Sequence, residues 1–384
     1  MRELRVDVAE GVAMPVASMP PPTDVPGLGV HLDFLTQQEF PGYRDLAYSL
    51  LAMELALADA ALTFDRQDNR VGMVQAFEAP GVESTVSRLF GLMSTPPPSD
   101  APPRVYDLLA PSFYGMQAFI YVHLAGKAMG LHGFCTSVHN ACSSGAYAIE
   151  TAAQQIRNGV AGAMVVTGGE AFDTAVRLEW FRRLELYAKE PVMRPFDTES
   201  AGFYVGEGAG AIVLESAQRA KERGATIYAR YLGGAFAHQG WKQTVPDVRA
   251  GRLRGVVTDA LDAARVTAGD IDFIVPHGAA TSLSDRYEAN CIGGALGGAN
   301  GNAVATAFKP YVGHTLAACG ILDTICGLLS MKNGCVPATP HTRAGRASFP
   351  VPLAHEKIER PVRRLLKVFT GFTGHDAALV FEKA

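Results

Sequence analysis

The chain has 384 residues, of which 48% are hydrophobic and 19% charged, and its formal net charge is −4. This length predicts two structural units, or one large duplicated unit, with ample material for a core. The slightly acidic balance gives no reason to expect a nucleic-acid partner, and no apolar run reaches the roughly 20 residues that span a bilayer.

Six cysteines occur at irregular positions and form neither a CxxC pair nor a dense disulfide framework. We therefore expect free thiols in a reducing compartment, the cytoplasm. The N-terminal residues lack the basic-then-apolar pattern of a secretory signal, which agrees with that expectation.

The first third of the chain predicts an irregular start followed by helices and strands. Residues 3–12 could form an edge strand, and the Pro-rich residues 14–29 predict an irregular surface connection. The further predicted elements are a helix rich in Ala and Leu at 43–62, a short strand at 70–75, an exposed loop at 94–103 and a helix at 113–131.

A cysteine then lies where a strand or loop turns into a helix. The sequence Asn140-Ala-Cys142-Ser-Ser-Gly145 leads into apolar residues at helical spacing, which Gly159 can end. Unpaired N–H groups and the helix dipole favour a thiolate at such a position. We therefore expect a lowered pKa and a nucleophilic Cys142, against the alternative of a buried, inert cysteine.

The rest of the chain again predicts strands and helices. Residues 163–169 predict a fully buried strand, and the glycine-rich residues 202–214 lead into another. The GEGAG sequence within the latter fits neither GxGxxG nor a P-loop, so we attribute it to close backbone packing. An amphipathic helix at 251–265 precedes a strand at 270–277, which ends in His277.

The helix-then-strand order thus recurs, and each half presents a reactive residue near a strand end. We expect a duplicated αβ unit with parallel or mixed sheets covered on both faces, with halves at 1–215 and 216–384 in one compact unit. Ligands of such folds gather beyond the carboxyl ends of strands, where Cys142 and His277 are predicted to lie.

Two further junctions complete a candidate catalytic cluster. After His277 the chain passes into a helix that carries Asp285 and Glu288, and a second turn-to-helix junction carries Lys309 and His314. A single histidine near an apolar segment is usually structural. Two histidines, each beside a glycine at an element end, favour catalysis together with the cysteine. Lys309 is either a solvated charge on a loop or, given its position near a helix, one member of a buried pair with Glu288 or Asp285.

These motifs resemble the β-ketoacyl synthases of the thiolase superfamily, in the elongating class with one cysteine and two histidines. The resemblance extends from about residue 43 to the C-terminus. It rests on five motifs in the family's order: Asn140-Ala-Cys142-Ser-Ser-Gly145; Arg194-Pro-Phe-Asp197 with Gly202-Phe-Tyr-Val-Gly-Glu-Gly-Ala-Gly210; His277 with Thr281, Asp285 and Glu288; Lys309 with His314; and Gly371-Phe-Thr-Gly-His-Asp376.

The resemblance implies an α/β fold, the thiolase-like duplicated αβαβα layered fold with mixed sheets. It implies no metal and no cofactor bound by the enzyme, because the substrates are carried on the phosphopantetheine of an acyl carrier protein, or on coenzyme A. It also implies an acyl carrier protein as partner, and a homodimer or a heterodimer with a related ketosynthase-like subunit.

The implied reaction is a β-ketoacyl-[acyl carrier protein] synthesis. Cys142 would accept an acyl group. His277 and His314 would then hydrogen-bond the thioester carbonyl of a malonyl unit and stabilise the enolate that decarboxylation leaves.

Further residues receive supporting roles from the same resemblance. Lys309, Glu288 and Asp285 would support the histidines. Phe372 would supply a backbone N–H to the oxyanion hole and gate the site, and Thr281 would contact the phosphopantetheine arm.

Several positions depart from the family's motifs. Ala279 replaces a threonine that helps to hold the arm, Thr373 replaces a glycine, and His375 with Asp376 replaces a Thr-Asn pair. These departures favour a specialised pathway, of polyketide or polyene type, over housekeeping fatty acid synthesis.

The alternatives are a non-decarboxylating acyltransferase on the same fold and a ketosynthase subunit of a heterodimer. A degradative thiolase would need another cysteine near the C-terminal glycine turn, and none follows Cys335. An initiating synthase would have asparagine at position 314, and a silent chain-length partner would lack Cys142.

Overall fold

The computed structural model describes residues 2–9, 12–19, 24–65, 68, 70–94, 113–298 and 301–384. Its helices are α1 (Leu28–Gln37), α2 (Arg44–Asp59), α3 (Val82–Ser94), α4 (Ala118–Met129), α5 (Ser144–Arg157), α6 (Val176–Arg183), α7 (Ala217–Glu222), α8 (Arg252–Ala264), α9 (Ser282–Leu296), α10 (Lys309–Val312) and α11 (Leu316–Asn333). Its strands are β1 (Arg2–Ala9), β2 (Val12–Ser18), β3 (Val71–Ala76), β4 (Cys135–Val138), β5 (Ala163–Glu170), β6 (Val205–Gly206), β7 (Gly208–Glu215), β8 (Ala229–His238), β9 (Phe273–Val275), β10 (Val304–Ala305), β11 (Cys335–Val336), β12 (Ile358–Glu359), β13 (Arg364–Thr370) and β14 (His375–Lys383).

Two mixed sheets with the same internal pattern dominate the fold. The first has the strand order β4-β3-β5-β7, and the second has the order β10-β9-β13-β14-β8. In each sheet three neighbouring strands are parallel, and the next strand, β7 or β14, runs antiparallel to them; in the second sheet β8 follows β14 and is antiparallel to it. This repetition confirms the expected duplicated α/β architecture with mixed sheets.

Helices cover both faces of each sheet. One core cluster joins α5 and α11 to strands of both sheets, so these two helices form the central layer. A second cluster packs α8 and α9 on the outer face of the second sheet, and a third packs α2 and α4 on the outer face of the first. Because β5 is covered from both sides, all eight of its residues are buried, which explains its continuous apolar sequence.

The N-terminal region differs from the expectation. The segment predicted to be irregular at 14–29 contains most of β2 and the start of α1. Strand β2 pairs along its length with β1, but it pairs with β6 only at Val16 and Ala17. Pro15 lies outside those two pairs, where its missing N–H costs no hydrogen bond to β6.

Other expected elements lie where the sequence placed them, with adjusted ends. The helix expected at 43–62 is α2, and the strand expected at 270–277 is the shorter β9, so His277 lies two residues beyond it. Residues 95–103 of the expected loop lie outside the described residues. In the part of the chain that is described, no helix combines the length and hydropathy needed to cross a bilayer.

A close approach of the two central helices fixes the position of the cysteine turn. A Cβ atom added to Gly145, at the start of α5, would lie 2.9 Å from the backbone nitrogen of Ile321 on α11. A Cβ atom added to Gly320 would lie 2.6 Å from the ring of Phe369 on β13. Glycine at both positions therefore lets the helices and the second sheet meet directly behind Cys142.

We expect Gly145→Ala to lower the free energy of unfolding by about 1–3 kcal/mol, because the backbone of α11 must shift to admit the methyl group. Urea unfolding of the variant measures this loss. The matched control is Gly255→Ala on α8, where an added Cβ meets nothing within 4 Å. That exposed helical position should gain up to about 1 kcal/mol from helix propensity. Equal effects of the two substitutions would contradict the proposed close approach.

Candidate active site

Cys142 lies in a short 3-10 turn, Ala141–Ser143, between β4 and α5. The hydroxyl of Ser144 accepts a hydrogen bond from the backbone N–H of Asn140 at 2.8 Å and donates one to the carbonyl of Ala141 at 2.7 Å. The hydroxyl of Ser143 donates to the carbonyl of His375 at 2.6 Å. The two serines of the motif therefore hold the turn and bind it to the start of β14.

The protonation state of Cys142 differs from the expectation. Burial raises the pKa of this thiol well above its ordinary value, and the nearby carboxyl groups of Glu78 and Glu170 act in the same direction. Lys309 acts against this shift but does not offset it. The expected helix-stabilised thiolate is thus wrong for the resting site, because the thiol is 4% exposed and removal of water penalises its charged form.

The two histidines lie side by side next to the thiol. His277 follows β9, His314 lies between α10 and α11, and their ring centroids are 5.3 Å apart in an edge-to-face arrangement. The sulfur of Cys142 and one ring nitrogen of each histidine lie within 4.8 Å of one another. The structure thus brings together the three residues that the sequence singled out as catalytic.

The backbone around His314 selects its tautomer. Its Nδ1 accepts a hydrogen bond from the backbone N–H of Leu316 at 3.2 Å. In the neutral ring the proton must then be on Nε2, which becomes the free donor. The backbone of His314 is held by Tyr204 and Gly206, through hydrogen bonds of 2.8 and 3.1 Å.

Both imidazoles are neutral near pH 7. Burial lowers the pKa of His277 and of His314 well below the ordinary value, and the cations Lys309 and Lys367 lower both further. The Nδ1 atom of His277 is buried and has no hydrogen-bond partner among the described residues. Such an atom is costly unless a substrate group meets it.

Lys309 has a different partner from the one expected. Its Nζ atom donates to the carbonyl of His277 at 2.5 Å and to Oδ2 of Asp323 at 2.9 Å. Lys367 donates to the same Asp323 oxygen at 2.9 Å. The expected direct pair with Glu288 or Asp285 is therefore wrong. Both oxygens of Glu288 accept backbone N–H groups instead, and Glu288 acts on Lys309 only through its charge, which raises the pKa of the lysine.

Glu288 and Asp285 hold the backbone on either side of His277. Glu288 accepts the N–H groups of His277 at 2.5 Å and of Gly278 at 2.9 Å, and burial raises its pKa to about 7. Asp285 accepts the N–H of Phe196 at 2.7 Å, and burial raises its pKa to about 8. Asp285 thus binds the 194–197 loop to the start of α9 and makes no direct hydrogen bond to either histidine.

Asp323 and Lys367 did not emerge from the motif analysis. Asp323 lies in the apolar helix α11, and Lys367 lies in the apolar strand β13, and each is at most 2% exposed. The signal was present in the sequence, because a single charge within a run of buried apolar residues requires a partner. Because Asp323 is negative and Lys367 is positive, the sequence predicts that these two buried residues form an ion pair.

A cavity of about 40 Å³ opens beside the three reactive side chains. Phe372 and Thr281 both line it, as do Phe181, Gln239 and Ala279. The Phe372 ring lies 6.0 Å from that of Trp180 and 6.1 Å from that of Phe181. The space holds about three water molecules, which is less than an acyl group with its carrier arm would occupy.

Backbone strain is concentrated around this cavity. Four non-glycine residues with positive φ lie within two residues of Cys142, Thr281, His314 or Phe372: Ala141 (47°), Ala280 (59°), Leu316 (40°) and Thr373 (62°). Each such conformation costs about 1–3 kcal/mol and persists only where surrounding contacts impose it. The strained turns present the site residues at the ends of their elements.

A cysteine and two histidines can also bind zinc, but the surroundings disfavour a cation here. The ammonium groups of Lys309 and Lys367 lie close enough to lower both histidine pKa values. The tautomer of His314 places a proton on the nitrogen that a metal would need. The arrangement is better suited to donate hydrogen bonds to a negatively charged oxygen.

A thiol beside two neutral imidazoles, in a doubled α/β fold, defines a condensing enzyme of the thiolase type. Comparison with known proteins agrees. Residues 46–220 match the family described as beta-ketoacyl synthase, N-terminal domain, and residues 228–343 match its C-terminal domain. The chain belongs to the β-ketoacyl synthase family, which confirms the resemblance found in its motifs and the expected class of C–C bond-forming acyltransferase.

The relatives come from fatty acid and polyketide synthesis. The chain is 28% identical to 3-oxoacyl-[acyl-carrier-protein] synthase 2 of Rhizobium meliloti, over 88% of this chain and 80% of the relative. It is 32% identical to the actinorhodin polyketide putative beta-ketoacyl synthase 1 of Streptomyces coelicolor, over 73% and 60%. It also resembles the solved ishigamide ketosynthase/chain length factor, with a TM-score of 0.78, 26% identity, and coverage of 89% and 82%.

We expect alkylation of Cys142 by iodoacetamide to be slow at pH 7 and to accelerate about tenfold per pH unit up to pH 9, because only the thiolate reacts and burial raises its pKa. Peptide mass spectrometry measures the rate at this residue, with Cys142→Ser as the background control. A plateau of the rate below pH 8 would show a low-pKa thiolate and contradict the burial argument.

Proposed function

We propose that this protein is a β-ketoacyl-[acyl carrier protein] synthase, which loads an acyl group on Cys142 and condenses it with a malonyl unit by decarboxylation. The observation that carries the proposal is the buried cluster of one thiol and two neutral imidazoles. We infer an acyl carrier protein as the carrier, because the R. meliloti relative is named a 3-oxoacyl-[acyl-carrier-protein] synthase. Phosphopantetheine, the arm shared by carrier proteins and coenzyme A, would deliver both substrates.

In the first half-reaction the Cys142 thiol attacks the acyl thioester. Because this thiol is protonated at rest, its proton must leave as the carbon–sulfur bond forms. His314 already accepts a backbone N–H at Nδ1 and has no free lone pair in its neutral form. We therefore assign the proton transfer to His277, which would pass the proton to the departing thiolate of the carrier.

In the second half-reaction carbon dioxide leaves the malonyl thioester, and its electrons move onto the thioester oxygen. The Nε2–H of His314 and an N–H of His277 would donate to that oxygen and stabilise the enolate. The enolate carbon then attacks the Cys142 thioester and forms the new carbon–carbon bond, and the thiolate of Cys142 leaves and takes up one proton from the solvent. The positive charges of Lys309 and Lys367 favour the transient anion.

The tetrahedral intermediate needs an oxyanion hole, which we assign to the backbone N–H groups of Cys142 and Phe372. The close approach of these segments supports this assignment. A Cβ atom added to Gly371 would lie 3.3 Å from the backbone nitrogen of Ser143. Phe372 would also act as the gate, since the small cavity must enlarge to admit an acyl thioester.

The remaining supporting roles follow from the contacts described above. Glu288 and Lys309 would fix the backbone of His277 through its N–H and its carbonyl. Asp285 would hold the adjoining loop, and Thr281, at the cavity wall, would contact the phosphopantetheine arm.

We propose that the halves 1–215 and 216–384 act as one unit, because α5 and α11 share one core. We also propose a dimer. Four exposed aromatic residues lie directly before the edge strand β4 or in and just before α4, the helix that packs on this strand: Phe134, Phe119, Phe113 and Tyr114. Such a patch beside a sheet edge is typical of an interface. The ishigamide ketosynthase/chain length factor makes a related subunit a candidate partner, and a second copy is the other.

The relatives leave a choice between fatty acid and polyketide synthesis, and we favour a specialised pathway because of the altered residues at 279, 373, 375 and 376. We place the enzyme in the cytoplasm, where a reducing environment would preserve its six free thiols.

We expect His314→Ala to form the acyl-enzyme but to release carbon dioxide from the malonyl carrier at least about a hundredfold more slowly. Loss of one preorganised donor to a developing oxyanion typically costs about 10²–10³ in rate. Acyl transfer to Cys142 does not use that donor. Intact-protein mass measures the loading, and a carbon dioxide assay on the same preparation measures decarboxylation.

Two variants complete this test. Cys142→Ala should abolish acyl loading, and His123→Ala, an exposed histidine on α4, should leave both steps unchanged. Wild-type carbon dioxide release by His314→Ala would contradict the two-histidine mechanism. Acyl loading of the native enzyme without any carbon dioxide release would favour the non-decarboxylating acyltransferase.

A further inference from the structure

One buried carboxyl group in the cavity wall has no role in the reaction described above. Asp376 is the second residue of β14, lies in the cavity lining and is fully buried. Its Oδ2 atom accepts hydrogen bonds from Nε2 of Gln239 at 2.7 Å and from the hydroxyl of Tyr287 at 2.9 Å. Its Oδ1 atom is buried and has no partner among the described residues.

An unpaired carboxylate oxygen in a substrate cavity needs a donor from the ligand. Oδ2 already accepts two donors, so the neighbouring protein groups are committed to that side of the carboxylate. Elsewhere in the lining, Ala279 presents only a methyl group. The cavity therefore contains one unsatisfied acceptor, the Oδ1 atom of Asp376.

We propose that Oδ1 of Asp376 binds the carrier arm by accepting a hydrogen bond from one of its amide N–H groups. This inference rests on the proposed function, since it takes the arm of a carrier-bound thioester as the occupant of the cavity. It makes Asp376 a substrate-binding residue that favours thioesters with an amide-containing arm over shorter thioesters.

The hydrogen bond to the arm depends on pH. Burial raises the pKa of Asp376 to about 6, with the hydrogen bonds from Gln239 and Tyr287 acting in the opposite direction. Because Oδ2 accepts two donors, the proton is added to Oδ1, which then cannot accept an amide N–H. The hydrogen bond to the arm therefore forms above about pH 6 and disappears as the pH falls through that value.

The titratable groups that face Asp376 do not reproduce this behaviour. Tyr287 and Cys291 on α9 and Tyr147 on α5 all have raised pKa values, so they stay protonated from pH 5 to 8. The pKa values of the cavity histidines His277 and His314 lie well below the ordinary value.

Other charged or titratable groups lie in the surrounding segments, namely His238 and His375 at the strand ends and Lys242 and Asp247 in the loop that follows β8. The Asp376→Asn variant retains all four of these groups. Any effect that they have on the pH dependence of KM is therefore the same in the native enzyme and in the variant.

The test compares two probes, malonyl-pantetheine, whose arm contains amides, and the malonyl thioester of propanethiol, which has none. In Asp376→Asn the amide oxygen should retain the bonds from Gln239 and Tyr287, which places an NH₂ donor where Oδ1 accepted. We expect the KM for malonyl-pantetheine to rise about tenfold or more at pH 7.5, with kcat little changed, because hydrogen bonds to charged groups are the stronger ones. The KM for the propanethiol thioester should not change.

The pH profile gives a second readout. The native KM for malonyl-pantetheine should rise as the pH falls from 7 to 5, and the rise should be clearly smaller in Asp376→Asn, which keeps only the effect of the other titratable groups. Tyr287→Phe is the matched control, since it removes a donor from Oδ2 and leaves Oδ1 free: the KM at pH 7.5 should rise much less than in Asp376→Asn, and the rise at low pH should begin at a higher pH because the lost hydrogen bond lowers the pKa of Asp376. Equal KM changes for both probes, or an unchanged KM and pH profile, would overturn the proposal.

Failure of the proposed function can be distinguished from failure of this inference. If the native enzyme releases no carbon dioxide from either probe, the proposed function fails. Calorimetric binding of unacylated pantetheine to the native protein and to Asp376→Asn then still tests the role of Asp376. About tenfold weaker binding by the variant supports it, and equal or absent binding overturns it.

Discussion

The buried ion cluster of Lys309, Asp323 and Lys367 is the interaction on which the site depends. One carboxylate faces two ammonium groups at 2.9 Å each, so the cluster carries a net positive charge within the core. Lys309 extends the cluster to the carbonyl of His277. A buried charge is tolerated only when it is paired and hydrogen-bonded, which fixes all three side chains in place.

Burial and the charge of this cluster together set the protonation of the two histidines. Burial lowers both histidine pKa values most, and Lys309 and Lys367 lower them further, so both rings are neutral. Neutral imidazoles offer one N–H each and leave the positive potential uncompensated until an enolate forms. Cys142 is likewise uncharged at rest. The resting site therefore contains no ion among its three reactive groups, and charge develops there only during the reaction.

The sequence predicted the reactive residues that lie at the end of a strand or at the start of a helix. Cys142, His277 and His314 each follow a short motif at a junction, and the structure brings them together. Pairing was harder to predict, because Lys309 has three acidic residues within reach of its turn, and the choice of Asp323 depends on how α11 packs. The pKa of Cys142 was also missed. A helix start can be read from the sequence, but the burial of the thiol and the approach of Glu78 and Glu170 arise only in the folded chain.

The most direct test of this account is the ionisation state and tautomer of His314, which ¹⁵N NMR of histidine-labelled protein measures, with His314→Ala to assign the resonance. The account predicts a neutral ring with its proton on Nε2 throughout pH 6 to 8, because Nδ1 accepts the N–H of Leu316 and Lys309 and Lys367 oppose a positive charge. An imidazolium at pH 7, or a neutral ring with its proton on Nδ1, would contradict it.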